Sequence, residues 1–207
     1  PRTDLSEVAQ AANVHIQQLT QALSAWGGLP LFLGVHPCLT PDDLPLLDKK
    51  RYRIMYSTMK EVGTHGQWMM KATSGVQVSL DYQSLEDLER KFVILNRLTP
   101  FLTAIFANSP IVEGEPSGYR SYRGKIWQNT DPYRTGLPLS FLSKKFSLVD
   151  YIEWALDVRP YHLYRDGEVV QPGPYTFRQL MKKESPLEVN QEAVSYTHLR
   201  AHETQRY

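Results

Sequence analysis

The stretch QWMMKATSGVQVSLDY, Gln67 to Tyr82, alternates apolar and polar side chains from Ala72 onward. The polar positions are Thr73, Gln77, Ser79 and Asp81. Because successive side chains of a strand point to opposite faces, the pattern predicts a strand with one apolar face and one face of small hydrogen-bonding groups. Such a polar face suits either solvent or the floor of a cavity, and the residues alone leave both interpretations open.

Helices are predicted on both sides of this strand. Apolar residues at intervals of three and four predict helices over residues 4–26 and 49–61, and the apolar run 29–35 favours a buried strand. Ser84, followed by Asp87, predicts the start of a further helix, which Pro100 should kink or break near residues 98–99. Its predicted buried stripe consists of Leu88, Phe92, Leu95, Leu102 and Phe106.

The second half of the chain predicts shorter elements. Residues 111–140 are expected to be mainly a loop, and residues 147–158 a helix whose inward side chains are Val149, Ile152 and Leu156. Asp166-Gly167 lies between two alternating runs, which is typical of a β-hairpin, and Thr176 is expected to cap a last short helix. Helices in this order with antiparallel strands predict an α+β domain.

Composition excludes several classes of protein. The chain has 207 residues, of which 42% are hydrophobic, and a formal net charge of +1, so no overall field favours nucleic acid or an anionic membrane. Its single cysteine, Cys38, excludes an internal disulfide framework and fits a reducing compartment, for which the cytoplasm is our expectation. No apolar run approaches the ~20 residues needed to span a bilayer.

Common catalytic and nucleotide-binding motifs are absent from the sequence, including G-x-x-x-x-G-K-[ST], G-x-G-x-x-G, H-E-x-x-H and G-x-S-x-G. A cluster of cations interleaved with aromatic residues remains: Tyr119, Arg120, Tyr122, Arg123, Lys125, Trp127, Tyr133 and Arg134. Guanidinium groups match carboxylate and phosphate oxygens, and aromatic rings can stack on them. The cluster indicates either a binding loop for an anionic ligand or a solvated loop stiffened by cation–π pairs.

Four segments resemble one protein family in their order and spacing. They are RYRIMYSTM (51–59), QWMMKATSGVQVSLDY (67–82), FANSPIVEGEPSGYRSYRGKIWQNTDPYRTG (106–136) and YIEWALDVRPYHLYRDGEVVQPGPYTFRQL (151–180). Together they resemble the plant and proteobacterial type of glutamate–cysteine ligase. The resemblance implies a fold like the catalytic domain of glutamine synthetase, an antiparallel sheet with flanking helices, here incomplete. It also implies that ATP phosphorylates the glutamate γ-carboxylate and that the cysteine amine attacks the γ-glutamyl phosphate.

The resemblance also implies roles for individual residues. Arg123 and Arg134 are expected to be catalytic, and Gln77 to lie near nucleotide or metal. The expected substrate-binding residues are Met70, Thr73, Trp127, Tyr151 and Trp154. The cofactors implied are ATP and Mg²⁺, whose main acidic ligands are expected upstream of Pro1.

We therefore expect residues 1–187 to be the central part of a ligase catalytic domain, inactive alone, and residues 188–207 to be an unrelated tail. Expected partners are the small molecules glutamate, cysteine and ATP, without a membrane or nucleic acid. Two alternatives stay open: a γ-glutamyl ligase with another amine acceptor, and a non-catalytic module that binds an anion or single-stranded nucleic acid.

Overall fold

The computed structural model describes residues 4–143, 145–165 and 167–182, and the chain divides after Phe32 into two compact units. The first unit contains helix α1, Leu5–Ser24. Asp4 begins α1 because its carboxylate accepts a hydrogen bond from the Ser6 N–H, one of the donors that a helix N-terminus leaves unsatisfied. The helix predicted over residues 4–26 is confirmed, although no residue of α1 is buried.

The described part of the second unit combines helices with two small antiparallel sheets. Its helices are α2 (Lys50–Val62), α3 (Gly66–Ala72), α4 (Leu85–Ile105), α5 (Tyr122–Gln128), α6 (Leu148–Leu156) and α7 (Phe177–Met181), with a 3₁₀ turn at Leu139–Leu142. The hairpins are β1 (Ile111–Val112) with β2 (Glu115–Pro116), and β3 (Leu163–Arg165) with β4 (Glu168–Val170). This mixture is an α+β architecture, as the sequence predicts.

Local signals in the sequence place several element ends correctly. The Ser84 hydroxyl accepts the Asp87 N–H at 3.1 Å and begins α4. At α7, Thr176 and Gln179 form a reciprocal capping box. In the second hairpin Arg165 pairs with Glu168, so the turn falls at the predicted two positions, of which Asp166 lies outside the described residues.

Among the described residues, two small clusters of buried aliphatic and aromatic side chains hold these elements together. The first joins Val35, Val112 and Ile126, against which Trp68, Met69 and Tyr122 pack. The second joins Leu163, Phe177 and Leu180, against which Leu156, Val170 and Tyr175 pack. The first cluster therefore ties α3 and the β1–β2 hairpin to α5, and the second ties α6 and the β3–β4 hairpin to α7.

A group of aromatic rings connects α4 to α6. Phe92 stacks on Phe146 with centroids 4.6 Å apart, and it meets Phe141 edge-on at 5.3 Å. Tyr151 and Trp154 of α6 complete the group, with Trp154 lying 5.5 Å from Phe141. Edge-to-face and offset-stacked pairs of this kind add to the free energy of burial, so this group fixes the position of α6 on α4.

The predicted strand from Ala72 to Tyr82 is not formed within the described residues. Ala72 ends α3, Thr73 makes one antiparallel bridge with Val35, and residues 74–82 carry no strand assignment. Beyond Ala72, which is buried at the end of α3, the large side chains of its apolar face are exposed, Val76 at 84%. A strand needs a neighbour for its backbone N–H and C=O groups, and the alternating pattern alone does not supply one. The predicted buried strand at 29–35 is also wrong, because Leu31 and Phe32 are exposed and residues 29–34 pair with no neighbouring strand in the described chain.

The prediction for the segment 111–140 is confirmed: most of it is loop and turn, although it contains β1, β2, α5 and the first half of the 3₁₀ turn. Two further predictions need correction. Helix α4 does not break at Pro100 but continues to Ile105, and the described contacts do not test the predicted kink. A proline inside a helix removes one backbone hydrogen bond and crowds the carbonyl four residues earlier, a local cost that this helix of 21 residues bears without ending. Phe106, Val149 and Ile152 are exposed, and α6 instead buries Ala155, because the aromatic group approaches that helix from its other side.

The predicted boundary at residue 187 and the predicted tail 188–207 lie outside the described residues. Of the helices in residues 4–182 that the structure describes, none is long and apolar enough to cross a membrane.

The second cluster provides a test of the fold. Phe177 on α7 is 1% exposed, so Phe177→Ala should lower the free energy of unfolding by about 3–5 kcal/mol, through lost burial and a cavity. Chemical denaturation of the purified chain measures this change. Met181→Ala, on the same helix but half exposed, is the control and should cost less than about 1 kcal/mol. Equal losses in both variants would contradict the assignment of Phe177 to the core.

Candidate functional site

Ser109 fixes the start of α5, the helix that carries Arg123. Its hydroxyl accepts the Arg123 N–H at 3.0 Å, and its carbonyl accepts the Tyr122 N–H at 3.1 Å. The Ser109 side chain is buried, and Ser121 caps the same helix by accepting the Gly124 N–H. The two serines thereby satisfy N–H groups that the first turn of α5 leaves free, and they set the direction in which Arg123 leaves the helix.

Two glycines leave the space that the Arg123 side chain occupies. A Cβ atom added at Gly75 would lie 2.8 Å from Arg123 Nη2, and one added at Gly34 would lie 3.2 Å from its Cδ. The guanidinium also lies over the Trp127 ring, 5.4 Å from its centroid. The extended segment after Thr73 therefore passes directly beside this arginine, although it forms no sheet within the described chain.

The surroundings of Arg123 leave buried donors without acceptors. Arg123 Nε and Trp127 Nε1 are both buried, and neither has a hydrogen-bond partner among the described residues. Burial lowers the pKa of Arg123, although an arginine remains charged at neutral pH. A buried cation without an acceptor costs free energy, and an anion bound here would offset that cost.

A second buried arginine lies in the turn that follows α5. Asp131 begins the turn: its Oδ1 accepts the Tyr133 N–H at 2.9 Å, and its carbonyl accepts the Arg134 N–H at 3.1 Å. Arg134 Nε lies 3.0 Å from Asp131 Oδ2, and the two side chains are 12% and 4% exposed. The D-P-x-R sequence therefore folds back on itself and forms an ion pair that is almost fully buried.

Tyr161 closes this ion pair from a different part of the chain. Its hydroxyl donates to Asp131 Oδ2 at 2.5 Å, and its ring lies 3.6 Å from the Arg134 guanidinium carbon. Burial raises the pKa of the Tyr161 hydroxyl well above its usual range, so Tyr161 is a protonated donor at neutral pH. Burial also lowers the pKa of Arg134, and Tyr161 and Asp131 partly oppose that effect.

A pocket of about 240 Å³ adjoins Arg134. It is lined by Pro132, Tyr133, Arg134, Thr135, Gly136, Leu137, Pro138 and Trp154. Arg134 is the one charged side chain among these eight residues. The pocket therefore suits a small molecule that carries an anionic group near the arginine and contacts aromatic and apolar walls elsewhere.

Comparison with known proteins identifies the family of the chain. Residues 1–201 match the model of Glutamate-cysteine ligase family 2 (GCS2). The chain belongs to this family. It is similar to the protein named Glutamate–cysteine ligase, chloroplastic, of Brassica juncea, at 38% identity over 186 residues, which cover 90% of this chain and 36% of that protein.

Relatives from other plants give similar values. Glutamate–cysteine ligase A, chloroplastic, of Oryza sativa subsp. indica is 37% identical over 186 residues, 90% of this chain and 38% of that protein. Glutamate–cysteine ligase, chloroplastic, of Nicotiana tabacum is 37% identical over 188 residues, 90% of this chain and 36% of that protein. The chain thus spans little more than a third of the length of these curated relatives.

The structure of this ligase-family chain brings some predicted site residues together and separates others. Arg123 contacts Trp127, and Arg134 and Trp154 line one pocket. Tyr151, by contrast, packs among the aromatic rings between α4 and α6.

Of the opening stretch, Gly75 lies against Arg123, and the predicted residues lie on either side of that glycine in the sequence. Met70 is half-buried on α3, and the Thr73 hydroxyl donates to the Met69 carbonyl at 2.8 Å. Gln77 lies two residues beyond Gly75, in the exposed extended segment. Roles of these residues in binding remain predictions.

Sequence reasoning missed Ser109, Asp131 and Tyr161. Asp131 had a usable signal, because an aspartate three residues before an arginine, with proline between them, favours a turn that pairs the two. Tyr161 had none, since it lies thirty positions from its partner. For magnesium, the described residues contain no group of three His, Cys, Asp or Glu side chains that could hold a metal ion, so they form no complete protein site for it.

The contact between Gly75 and Arg123 can be tested directly. Gly75→Ala should displace the guanidinium group from its position over Trp127, yet change the free energy of unfolding by less than about 1 kcal/mol, because the clashing atom is the end of a flexible side chain. The Trp127 indole N–H resonance, assigned with Trp127→Phe, should shift. Gly63→Ala is the contrasting variant: its Cβ would lie 2.1 Å from the Thr130 backbone oxygen, which should cost about 1–3 kcal/mol or more. An unshifted indole resonance in Gly75→Ala would contradict the packing.

His162 should make the stability of the fold decrease at low pH. Its Nδ1 is buried without a partner in the described chain, and burial, then Arg51 and Arg134, lower its pKa from 6.5. The unfolded chain therefore binds this proton more readily, so stability is greatest above about pH 6.5 and falls as the pH drops through the folded-state pKa.

Chemical denaturation between pH 7.5 and pH 5 measures this effect, with each pH compared in the original chain and in His162→Gln. The variant should lose part of the decrease in unfolding free energy at low pH. His15→Gln, at an exposed position of α1, is the control for removing an imidazole from the surface. An unchanged pH dependence in His162→Gln would show that the buried imidazole does not contribute.

Proposed function

We propose that a complete protein carrying this chain joins the γ-carboxylate of L-glutamate to the amine of L-cysteine and consumes ATP. The observation that carries this proposal is the pair of largely buried arginines, each beside an aromatic ring: Arg134 lines a pocket, and Arg123 has an Nε without an acceptor among the described residues. Family membership supports it, since the relatives named above are called glutamate–cysteine ligases.

The chemistry of this reaction explains why cations matter more here than a nucleophile. ATP as co-substrate supplies the phosphoryl group that turns the glutamate γ-carboxylate into a γ-glutamyl phosphate, which the cysteine amine then attacks. Every reacting group except the amine is anionic. Catalysis then depends on holding these anions in position and stabilising their charge, and the chain needs no covalent intermediate with the protein.

We assign the two arginines complementary roles within that chemistry. Arg134, in the pocket of about 240 Å³, binds a carboxylate of glutamate, and Trp154 forms an apolar wall for the substrate. Arg123, with its buried Nε, meets carboxylate or phosphate oxygens at the other side of the site. Met70, Thr73 and Trp127 contribute to the substrate walls around Arg123, Tyr151 supports Trp154, and Gln77 approaches the nucleotide.

We also propose that residues 72–82 contribute a strand to an antiparallel sheet of the glutamine synthetase type. The support is the alternation of side chains, the exposed apolar face and the extended segment beside Arg123. On this proposal the apolar face packs on further chain, and the polar face lines the substrate cavity. For location we propose a reducing compartment such as the cytoplasm, on the basis of the single cysteine; the names of the relatives specify the chloroplast.

The 207-residue chain should lack ligase activity when it is tested alone. Because its described residues hold no acidic cluster for magnesium, the 207-residue chain should release no ADP above background with glutamate and cysteine present. A coupled assay for ADP measures this. ADP release that requires both amino acids would contradict the prediction and place a full metal site within this chain.

In a complete protein, both arginines should be needed for efficient use of glutamate. Arg123→Lys or Arg134→Lys should lower kcat/KM for glutamate by about 10²-fold or more, because lysine keeps the charge but loses the planar fork. Arg120→Lys, at an exposed position before α5, is the matched control and should retain activity.

Steady-state ADP release, with cysteine and a panel of other amines as acceptors, separates the alternatives. Turnover with another amine but not cysteine would favour a different γ-glutamyl ligase. No turnover with any amine, together with anion or single-stranded nucleic-acid binding, would favour a non-catalytic module; nucleic-acid affinity should then fall steeply with salt.

A further inference from the structure

We infer that Asp131 and Tyr161 are positioning residues that hold Arg134 in the orientation needed to bind a substrate carboxylate. This inference rests on the proposed function of the pocket, and it assigns roles to two side chains that lie behind the arginine. Neither residue lines the pocket, so each would act through Arg134.

Arg134 is held on two sides. Its Nε lies 3.0 Å from Asp131 Oδ2, and the Tyr161 ring covers one face of the guanidinium at 3.6 Å. Together these contacts fix both the in-plane rotation and the tilt of the guanidinium. A flexible arginine would lose side-chain entropy on binding its ligand, whereas this one has already lost it during folding.

Asp131 is itself fixed by hydrogen bonds. Its Oδ1 accepts the Tyr133 N–H, its Oδ2 accepts the Tyr161 hydroxyl, and its backbone carbonyl accepts the Thr135 N–H at 2.8 Å. Both carboxylate oxygens are therefore used, and the residue is 3% exposed. A buried carboxylate with this many donors cannot turn to another partner without leaving one of them unsatisfied.

The two Nη nitrogens of Arg134 are not part of its ion pair with Asp131. Asp131 engages Nε, whereas the two terminal Nη nitrogens have no hydrogen-bond acceptor within the described part of the chain. The Arg134 side chain lines the pocket and keeps 12% of its surface exposed. The paired Nη groups are therefore left for a planar, two-oxygen acceptor, which matches a carboxylate.

Tyr161 joins two segments that lie far apart in the sequence. It lies between α6 and β3, whereas Asp131 and Arg134 lie in the turn after α5. Its hydroxyl spans thirty positions to reach Asp131. The same tyrosine thus orients the arginine and connects the turn to the α6–β3 segment, which carries Trp154, the apolar wall of the pocket, at its α6 end.

Tyr161→Phe tests the inference because it removes one hydroxyl and keeps the ring over Arg134. In a complete protein carrying the chain, KM for glutamate should rise about tenfold, the loss expected for a hydrogen bond to a charged group, while KM for ATP stays within about twofold. Asp131→Asn should raise KM for glutamate further, since it removes the charge that pairs with Nε. Tyr175→Phe, at a half-buried tyrosine beside the second core cluster, is the matched control and should leave both constants unchanged.

A double-mutant cycle separates positioning from general stability. If Tyr161 acts through Arg134, adding Tyr161→Phe to Arg134→Lys should cost less than it costs alone. Fully additive losses, or a lowered unfolding temperature with both KM values unchanged in Tyr161→Phe, would overturn the inference and leave a purely structural contact.

A readout that does not depend on ligase activity uses the 207-residue chain itself. The Arg134 Nε–H proton, assigned by its loss in Arg134→Lys, should exchange slowly with water in NMR spectra, and Tyr161→Phe should accelerate that exchange. Fast exchange in the original chain, or no change in the variant, would overturn the inference. Slow exchange in the chain, with no ADP release by the complete protein, would instead retain the positioning contacts and reject the proposed function.

Discussion

The burial of two guanidinium groups is the constraint on which the rest of the site depends. Removing a cation from water costs several kcal/mol unless acceptors surround it. Arg134 meets this cost with Asp131 and the face of Tyr161, whereas the Arg123 Nε has no acceptor among the described residues. Arg134 is therefore held by the protein's own side chains, whereas Arg123 would gain most from a bound anion.

The surrounding architecture follows from holding these two side chains. Ser109 sets the start of α5, and Gly34 and Gly75 keep the space beside Arg123 free of any Cβ atom. The aromatic rings between α4 and α6 place Trp154 at the pocket that Arg134 lines. Small buried clusters hold the hairpins and short helices in place, so a limited core supports a site made largely of turns and helix ends.

The sequence predicted local structure better than it predicted pairing. Helix caps at Ser84 and Thr176 and the hairpin after Arg165 depend on residues close in sequence, and the structure confirms them. The strand from Ala72 to Tyr82 depends on neighbours that a period-two pattern cannot specify, and it is not formed in the described chain. The candidate site divides in the same way: the cluster of arginines and aromatic residues was visible, but the approach of Gly75 to Arg123 and of Tyr161 to Asp131 required the fold.

The central claim is that Arg123 and Arg134 bind the anionic groups of the substrates. A crystal structure of a complete protein carrying this chain, with glutamate and a non-hydrolysable ATP analogue, tests it most directly. We predict a glutamate carboxylate within hydrogen-bonding distance of both Arg134 Nη nitrogens, with Asp131 and Tyr161 still behind the guanidinium, and an anionic oxygen beside Arg123. Both ligands bound at a distance from these two arginines, with Arg123 and Arg134 contacting only protein atoms, would contradict the account.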